Sequence, residues 1–207
     1  ANPADPNGGR QRIIQALDPA HPDFMPRQYG TGVVIDRRGL ILTQYHLLHE
    51  QDAHWVTTAD RRVLAATIRA ADPRSGLAVL AVDANDLTPI ALGDATTLAK
   101  GHLVIALGNP YAIARDGQAS ASWGIVSNLA RKAGPTAWED GSSEKPTLHH
   151  FGTLIQTDAK LNLGTSGGPL LNLRGEMVGL TTTIAAIAGY EQAAGYAVPM
   201  DDAFRRV

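Results

Sequence analysis

Short apolar runs separated by turn residues fill most of the chain after Gly30. Val33–Asp36 and Leu40–Thr43 flank the tripeptide Arg37-Arg38-Gly39, which is typical of a hairpin turn. The same alternation of apolar runs and breakers predicts further strands at Trp55–Thr58, Val63–Ala71, Leu77–Val82, Ala119–Asn128, Thr153–Thr157, Pro169–Asn172, Glu176–Thr182 and Gly195–Val198. Because no long amphipathic helix interrupts these strands, the pattern favours an all-β sandwich or barrel.

The two ends of the chain and one internal segment have a different pattern. Residues 1–29 are rich in Pro, Asp and Asn, and one short helix is predicted there at Gly9–Leu17. We interpret this segment as an arm that packs on the body or on a neighbouring subunit. Arg131–His150 is predicted to be a polar surface loop that borders the functional site. Met200–Arg206 is predicted to be a terminal helix.

An internal similarity favours two barrels. Residues 35–43 resemble residues 172–181, because each segment places an Arg-Gly turn between apolar strands. We place the division near Ala114–Gln118. The predicted organisation is an N-terminal arm over 1–29, an N-terminal barrel over 30–115, and a C-terminal barrel with its terminal helix over 116–207.

Composition removes several classes of function. The formal net charge is -2 and no run of five or six basic residues occurs, which argues against nucleic acid or an anionic membrane as partner. No apolar stretch of eighteen residues predicts a membrane-spanning helix. Cysteine is absent, which excludes disulfides, thiolate catalysis and Cys-ligated zinc. The N-terminus lacks the charged and apolar regions of a signal peptide, so we interpret it as a mature or trimmed end.

The strongest chemical signal is a serine within a glycine turn. Leu163-Gly-Thr-Ser-Gly-Gly-Pro-Leu170 places Ser166 between two apolar runs, and glycines let the backbone turn without Cβ clashes. The N–H groups of Gly164 and Ser166 could then converge as an oxyanion hole around Thr165. His46 follows the apolar run Leu40–Thr43 and is the candidate base that a serine nucleophile requires.

Histidine also raises the alternative of a metal site. His49 and His54 follow His46 closely, and His149-His150 lie further along the chain. Their spacing matches no zinc pattern, and no His-Glu-x-x-His arrangement occurs. We therefore predict that no metal or other cofactor is required.

Nine blocks in this order resemble the HtrA/DegP-like bacterial branch of the chymotrypsin-like serine proteases. The resemblance implies two six-stranded antiparallel β-barrels and endopeptidase cleavage of unfolded or extended polypeptides. It also implies a periplasmic or other extracytoplasmic location, a possible homotrimer formed through the arm, and a PDZ domain that often follows but does not occur before Val207. The blocks are 30–36, 39–46, 72–80, 93–94, 106–110, 124–127, 155–159, 163–170 and 195–199.

The acid of the implied catalytic triad is missing from its expected position. The family places an aspartate directly before the strand Leu77–Leu80, and this chain has Gly76 there. Three alternatives follow: a slow Ser166–His46 dyad, an acid supplied from elsewhere with Asp72 as the nearest candidate, or a pseudoprotease that binds peptides without cutting them. An aspartate in this role sets the histidine tautomer and stabilises the imidazolium, and glycine does neither.

The resemblance also places a primary specificity pocket. Lys160 lies six residues before Ser166, where trypsin-like enzymes carry the residue at the pocket base. An inward lysine would exclude basic substrate side chains and favour acidic ones; the alternative is a solvated lysine that points outward. The implied walls, in a family whose pockets usually take small or medium aliphatic side chains, are Thr181, Thr182, Thr183, Gly195 and Tyr196.

Overall fold

The computed structural model describes residues 28–48, 53–73, 75–110, 117–131, 153–182 and 194–201. Short 3-10 helices at Tyr45–Leu47 and Ala95–Thr97 lie between strands. The strands are β1 Val33–Asp36, β2 Leu40–Gln44, β3 His54–Thr57, β4 Val63–Asp72, β5 Leu77–Val82, β6 Leu103–Gly108, β7 Ser120–Arg131, β8 Leu154–Thr157, β9 Pro169–Leu171, β10 Met177–Thr182 and β11 Gly195–Pro199.

Two antiparallel sheets organise these strands. The first has five strands in the order β1-β2-β5-β4-β3, and the second is a closed barrel in the order β10-β11-β8-β7-β6-β9. Strand β2 pairs with β5 from Leu40↔Ala81 to Gln44↔Leu77, so the end of β2 lies beside the start of β5. Since the chain after β2 carries His46, this register places the histidine next to the turn that precedes β5.

The apolar core extends across both sheets. One cluster fills the barrel around Val104, Ile155 and Leu170, and another lies in the first sheet around Ile41 and Leu80. A third joins the two, with Val33, Leu42 and Leu77 from the first sheet packed with Met177, Leu180 and Met200 from the barrel. Burial of this shared cluster stabilises the two sheets against each other, because apolar area is removed from water on both sides.

The segment between β5 and β6 hydrogen-bonds to both sheets where they pack together. The Ile90 N–H donates to the Val34 carbonyl at 2.9 Å, and the Gly93 N–H donates to the Met177 carbonyl at 2.8 Å. A few residues on, the Ala95 N–H donates to the Met200 carbonyl. One short connection therefore hydrogen-bonds first to β1 and then to the barrel, which fixes the relative position of the elements that carry the site.

The predicted all-β, chymotrypsin-like class is confirmed, with three differences in detail. Strand β6 was not predicted, and it belongs to the barrel, so the chain passes from the first sheet to the barrel strands between Val82 and Leu103. The first sheet has five strands among the described residues where six were predicted. The helices predicted at 9–17 and 200–206 and the loop at 131–150 lie wholly or mostly outside the described residues.

Candidate active site

Ser166 and His46 contact each other across the two sheets. His46 lies in the 3-10 helix that directly follows β2, and Ser166 lies between β8 and β9. The Ser166 Oγ atom is 3.2 Å from His46 Nε2, within hydrogen-bond distance. Only 2% of the Ser166 surface is exposed, whereas His46 is half-buried. A serine hydroxyl beside an imidazole is the arrangement that general-base activation of a nucleophile requires.

The loop over residues 161–168, called the serine loop below, is held by a dense set of hydrogen bonds. The Gly167 N–H donates to the Thr181 carbonyl at 2.9 Å, and the Thr181 hydroxyl donates to the Thr165 carbonyl at 2.7 Å. The Thr165 N–H donates to the Asn162 carbonyl at 3.0 Å. Of the residues predicted for the oxyanion hole, Thr165 thus has its own N–H engaged and contributes by shaping the loop.

Two glycines of the serine loop adopt backbone angles that other residues rarely take. Gly164 has a φ of 95° and Gly167 a φ of 83°. A Cβ atom on Gly164 would collide with the Asn109 carbonyl oxygen and would lie 3.0 Å from the Tyr29 ring. A Cβ atom on Gly167 would collide with the Thr31 carbonyl oxygen. The glycines are therefore required both by backbone conformation and by close packing.

The second nitrogen of the His46 ring lacks a hydrogen-bond partner among the described residues. His46 Nδ1 is buried and hydrogen-bonds to none of the residues described. Burial lowers the pKa of His46 to about 4, because removal from water disfavours the charged imidazolium. Because no described residue accepts a hydrogen bond from Nδ1, none of them selects the tautomer that leaves Nε2 unprotonated and ready to accept the serine proton.

Gly76 lies directly beside the histidine turn. Its carbonyl accepts a hydrogen bond from the N–H of Tyr45, the residue before His46, at 2.7 Å, and its φ is 70°. The Gly76 N–H donates to the Asp72 carbonyl at 3.0 Å. Asp72 does not hydrogen-bond to the histidine ring at Nδ1, since that atom has no partner among the described residues. The position before β5 is therefore adjacent to the base but contributes no side chain to it.

Lys160 is exposed at the start of the serine loop. Its carbonyl accepts a hydrogen bond from the Ser122 hydroxyl at 2.9 Å, so its backbone is anchored to β7. The neighbouring Asp158 carboxylate accepts from the Ile125 N–H at 2.6 Å and anchors the same stretch. Asp158 thus has a structural contact with β7, and Lys160 as a whole is exposed beside it.

The predicted pocket walls lie on two paired strands. Thr181 and Thr182 are buried on β10, and Thr182 pairs with Tyr196 on β11. Gly195 is buried beside Tyr196 at the start of β11. Thr183 lies outside the described residues. The structure therefore brings four of the five predicted wall residues together at the same end of the β10–β11 pair.

Three residues near the site were not singled out from the sequence. Leu161 packs against Gly195, since a Cβ atom on that glycine would lie 2.7 Å from Leu161 Cδ1. Gln44 is fully buried, and its Nε2 donates to the Thr181 carbonyl at 3.3 Å. Thr31 hydrogen-bonds to the serine loop. Only Thr31 had a usable signal, its place between two glycines in the Gly30-Thr-Gly32 block.

Metal ligation finds no support in the described part of the chain. No group of three or more His, Cys, Asp or Glu side chains that could hold an ion occurs there. His54 lies on β3, and the other histidines considered as ligands, His49, His149 and His150, lie outside the described residues. The described ranges also contain no helix long and apolar enough to span a membrane.

The barrel, the second sheet and the Ser166–His46 contact define a chymotrypsin-like serine peptidase fold. The chain belongs to the trypsin-like peptidase domain family, whose model matches residues 30–180, and within it to the HtrA type. These comparisons agree with the order of sequence blocks and with the sheet topology. They establish the family of the part of the chain that carries both Ser166 and His46.

Named relatives and solved structures place the chain within this family. It is 34% identical over 199 residues to a probable periplasmic serine endoprotease, DegP-like, of Pseudomonas fluorescens, covering 96% of this chain and 36% of that protein. It is 34% identical over 179 residues to the chloroplastic Protease Do-like 1 of Arabidopsis thaliana, covering 86% and 38%. The chain thus spans little more than a third of these relatives.

The solved structures give the same picture of the fold. The HtrA-type protease AlgW with a decapeptide superposes with a TM-score of 0.67 at 30% identity, covering 82% of this chain and 47% of that one. A serine-to-alanine variant of AlgW with a tripeptide superposes with a TM-score of 0.70 at 29% identity, covering 85% and 53%.

Proposed function

We propose that this chain is the protease domain of a serine endopeptidase that cleaves extended polypeptides by acylation of Ser166. The observation that carries the proposal is the 3.2 Å contact between Ser166 Oγ and His46 Nε2, made across two sheets whose fold belongs to a peptidase family. A serine and a histidine far apart in the chain meet at hydrogen-bond distance, which is the geometric criterion for a nucleophile and its base.

The reaction follows from this geometry. His46 Nε2 takes the proton as Ser166 Oγ attacks the carbonyl carbon of the scissile peptide bond. The oxyanion that forms would accept hydrogen bonds from the N–H groups of Gly164 and Ser166, in the turn that the positive φ of Gly164 creates. His46 then protonates the leaving amine. Water, deprotonated by the same nitrogen, attacks the acyl carbon, and His46 Nε2 returns that proton to Ser166 Oγ as the bond from the serine to the acyl group breaks.

We further propose that turnover is slow, because Gly76 takes the place of the acid. The buried Nδ1 supports this proposal, since no described residue hydrogen-bonds to that atom in either tautomer of the neutral ring. The low pKa of His46, about 4, supports it too, because a ring that is hard to protonate is a weak base. In the general protease template, replacing the acid by an amide lowers turnover by about 10⁴-fold.

A peptide-binding module without turnover is the second candidate function. The same bare Nδ1 favours it, because a site without an acid retains the cleft residues while losing the chemistry. The solved relatives with bound decapeptide and tripeptide support peptides as the ligand class in either case. A third arrangement, with Asp72 in the role of the acid, requires its carboxylate to reach His46 through a movement of the turn before β5.

Location is proposed from the names of the relatives, and assembly from the family resemblance of the sequence. Several are named as periplasmic endoproteases, which supports an extracytoplasmic location in a bacterium. A homotrimer formed through residues 1–29 remains a proposal, since residues 1–27 lie outside the described part of the chain.

Labelling by a small fluorophosphonate probe tests the proposed chemistry directly. We expect slow covalent labelling of the wild type, located at Ser166 by peptide mass spectrometry. We expect none in Ser166→Ala and a loss of at least about 10²-fold in His46→Ala. Ser120→Ala, which removes an exposed hydroxyl from β7, is the matched control and should label like the wild type.

Two further measurements separate the candidate functions. Casein turnover in parallel with labelling identifies a slow enzyme, and fluorescence anisotropy with an extended peptide identifies a binding module. Peptide binding without labelling of Ser166 would overturn the enzymatic proposal. High turnover that Asp72→Asn abolishes would instead show that another carboxylate already supports His46.

A further inference from the structure

Thr31 connects three separate segments around the serine loop. It lies just before β1, and its N–H donates to the Ser166 carbonyl at 2.8 Å. Its Oγ1 donates to the Gly164 carbonyl at 2.7 Å and accepts from the Asn109 N–H at 3.1 Å. Its carbonyl accepts from the Thr43 hydroxyl at 2.8 Å. A single residue just before the first sheet is thus bonded to carbonyl groups on both sides of the nucleophile.

The hydroxyl acts on one particular peptide unit. The Gly164–Thr165 peptide has its carbonyl bonded to Thr31 Oγ1 and its N–H bonded to the Asn162 carbonyl. Both polar ends of this unit are therefore fixed. Because its first Cα atom also carries the Gly164 N–H, a rotation that frees the carbonyl would displace the donor expected to contact the oxyanion.

Gly164 is closely packed, but its own backbone preference does not fix the peptide that follows it. Gly164 is pressed against the Asn109 carbonyl and the Tyr29 ring, with no room for a Cβ atom. It has a φ of 95°, an angle that glycine adopts freely, so the residue itself does little to hold the peptide in place. The loop itself holds the Thr165 N–H through the Asn162 carbonyl, and Thr31 holds the Gly164 carbonyl from outside the loop.

Only a residue that both donates and accepts can fill this role. The Thr31 hydroxyl accepts from a backbone N–H and donates to a backbone carbonyl at the same time. Valine has the same shape and can do neither, so it would leave two backbone groups unsatisfied. Serine keeps both hydrogen bonds.

We propose that Thr31 is a positioning residue that holds the Gly164 N–H in the orientation required to stabilise the oxyanion. The proposal rests on the proposed function for its effect on rate, but its structural part concerns only the orientation of the Gly164–Thr165 peptide. The two parts are therefore tested by different measurements.

The kinetic test compares Thr31→Val with Thr31→Ser. We expect Thr31→Val to lower kcat and the rate of fluorophosphonate labelling by about tenfold to hundredfold with little change in KM, since a lost oxyanion donor costs about 10² to 10³. Thr31→Ser should retain most of the rate. Thr97→Val, which removes a hydroxyl that donates to the Asp94 carbonyl far along the chain from the site, is the matched control. All rates are compared at temperatures where each variant is folded.

The structural test does not depend on catalysis. In ¹H–¹⁵N NMR spectra, Thr31→Val should shift the Gly164 and Thr165 amide resonances and speed hydrogen exchange at Thr165 by about tenfold, while Thr31→Ser and Thr97→Val should not. Unchanged amides in Thr31→Val would overturn the proposal whatever the activity, as would unchanged kinetics in an active enzyme. Altered amides in a protein whose Ser166 never labels would uphold the positioning role and overturn the proposed function alone.

Discussion

The two halves of the site differ in how completely their polar atoms are satisfied. The serine loop is bonded to Thr31 and Thr181, and the backbone angles and close packing at Gly164 and Gly167 admit only glycine. The histidine ring contacts Ser166 through one nitrogen, and its other nitrogen is buried without a partner among the described residues. The comparison teaches that a nucleophile can be held rigidly while the base beside it lacks support.

The difference follows from the source of each contact. The serine loop is fixed by several hydrogen bonds, some between backbone groups and others from the hydroxyls of Thr31 and Thr181, so its support is spread over several groups. A hydrogen-bond acceptor for an imidazole must come from one side chain or one carbonyl, and a glycine at that position offers no side chain. Substitutions in the serine loop should therefore disturb a well-supported element, and a carboxylate near His46 should add the support that its ring lacks.

The largest expected effect comes from crowding the serine loop. Gly167→Ala places a methyl group against the Thr31 carbonyl and 2.5 Å from Thr43 Oγ1, at a φ of 83°. We expect the free energy of unfolding in urea to fall by roughly 3 to 5 kcal/mol, because a backbone clash is added to a strained angle. Labelling of Ser166 should be lost with it.

Gly175→Ala is the control for Gly167→Ala. Gly175 has a φ of 77°, and a Cβ atom there has no neighbour within 4 Å. This variant isolates the cost of the backbone angle, which is about 1 to 2 kcal/mol. Equal losses in the two variants would show that the serine loop is less tightly held than its contacts indicate.

The next largest effect is a fall in the free energy of unfolding in mild acid, which is caused by protonation of His46. The folded-state pKa of His46 is about 4, below the value near 6.5 in the unfolded chain. The unfolded state therefore binds more protons between these values. The contribution of His46 is complete above pH 6.5, declines as the pH falls towards 4, and changes no further below that. We expect a loss of roughly 2 to 3 kcal/mol across this window.

Urea denaturation at closely spaced pH values measures this dependence. Other groups titrate in the same window, so the informative quantity is the difference between the wild type and His46→Gln. We expect the variant to show a flatter profile between pH 4 and pH 6.5. Parallel profiles would mean that His46 is protonated as readily in the fold as in water.

A carboxylate placed beside the His46 ring should raise the rate of turnover by about tenfold. Gly76→Asp places a carboxylate beside the histidine turn, at a φ of 70° that Asp and Asn tolerate better than most residues. The carboxylate would select the productive tautomer and stabilise the imidazolium, recovering part of about 10⁴-fold. It should also raise the pKa of His46, so that activity of the variant declines at a higher pH than that of the wild type.

Gly76→Asn is the matched control, since it has the same shape and backbone strain without the charge. Casein turnover, the labelling rate and NMR titration of the His46 ring are measured in all three proteins. A gain shared by both variants would assign the effect to packing. A gain in neither, with the fold intact, would favour the binding module.

The success of the sequence analysis follows the same division between backbone and side chain. Glycines at fixed spacing around Ser166 predicted a turn that the backbone does form, and alternating apolar runs predicted ten of the eleven strands. Strand β6 was missed because Leu103–Gly108 is apolar throughout and ends in Gly-Asn-Pro, so the breaker dominated the pattern. Its buried faces at Val104 and Ala106 are visible only once it closes the barrel.

Contacts that cross from one sheet to the other could not be predicted in this way. The hydrogen bond from Thr31 to Gly164 joins residues 133 positions apart, and the one from Gln44 to Thr181 joins residues 137 apart. No local pattern encodes such pairs. The proposal that Gly76 takes the place of an acid rests on the family resemblance, whereas the buried Nδ1 without a partner among the described residues became visible only in the packing around His46.

The smallest expected effect concerns Lys160 and substrate choice. Because Lys160 is exposed, its charge acts through solvent, where two unit charges about 4 Å apart interact by about 1 kcal/mol. We expect peptidyl phosphonates with Arg before the reactive centre to inactivate the wild type several-fold more slowly than those with Val. Lys160→Gln should narrow this difference by about threefold, and Lys100→Gln, at an exposed turn before β6, should leave it unchanged. A difference near a hundredfold would place the ammonium inside a desolvated pocket, whereas faster reaction with Arg in the wild type would remove Lys160 from substrate selection altogether.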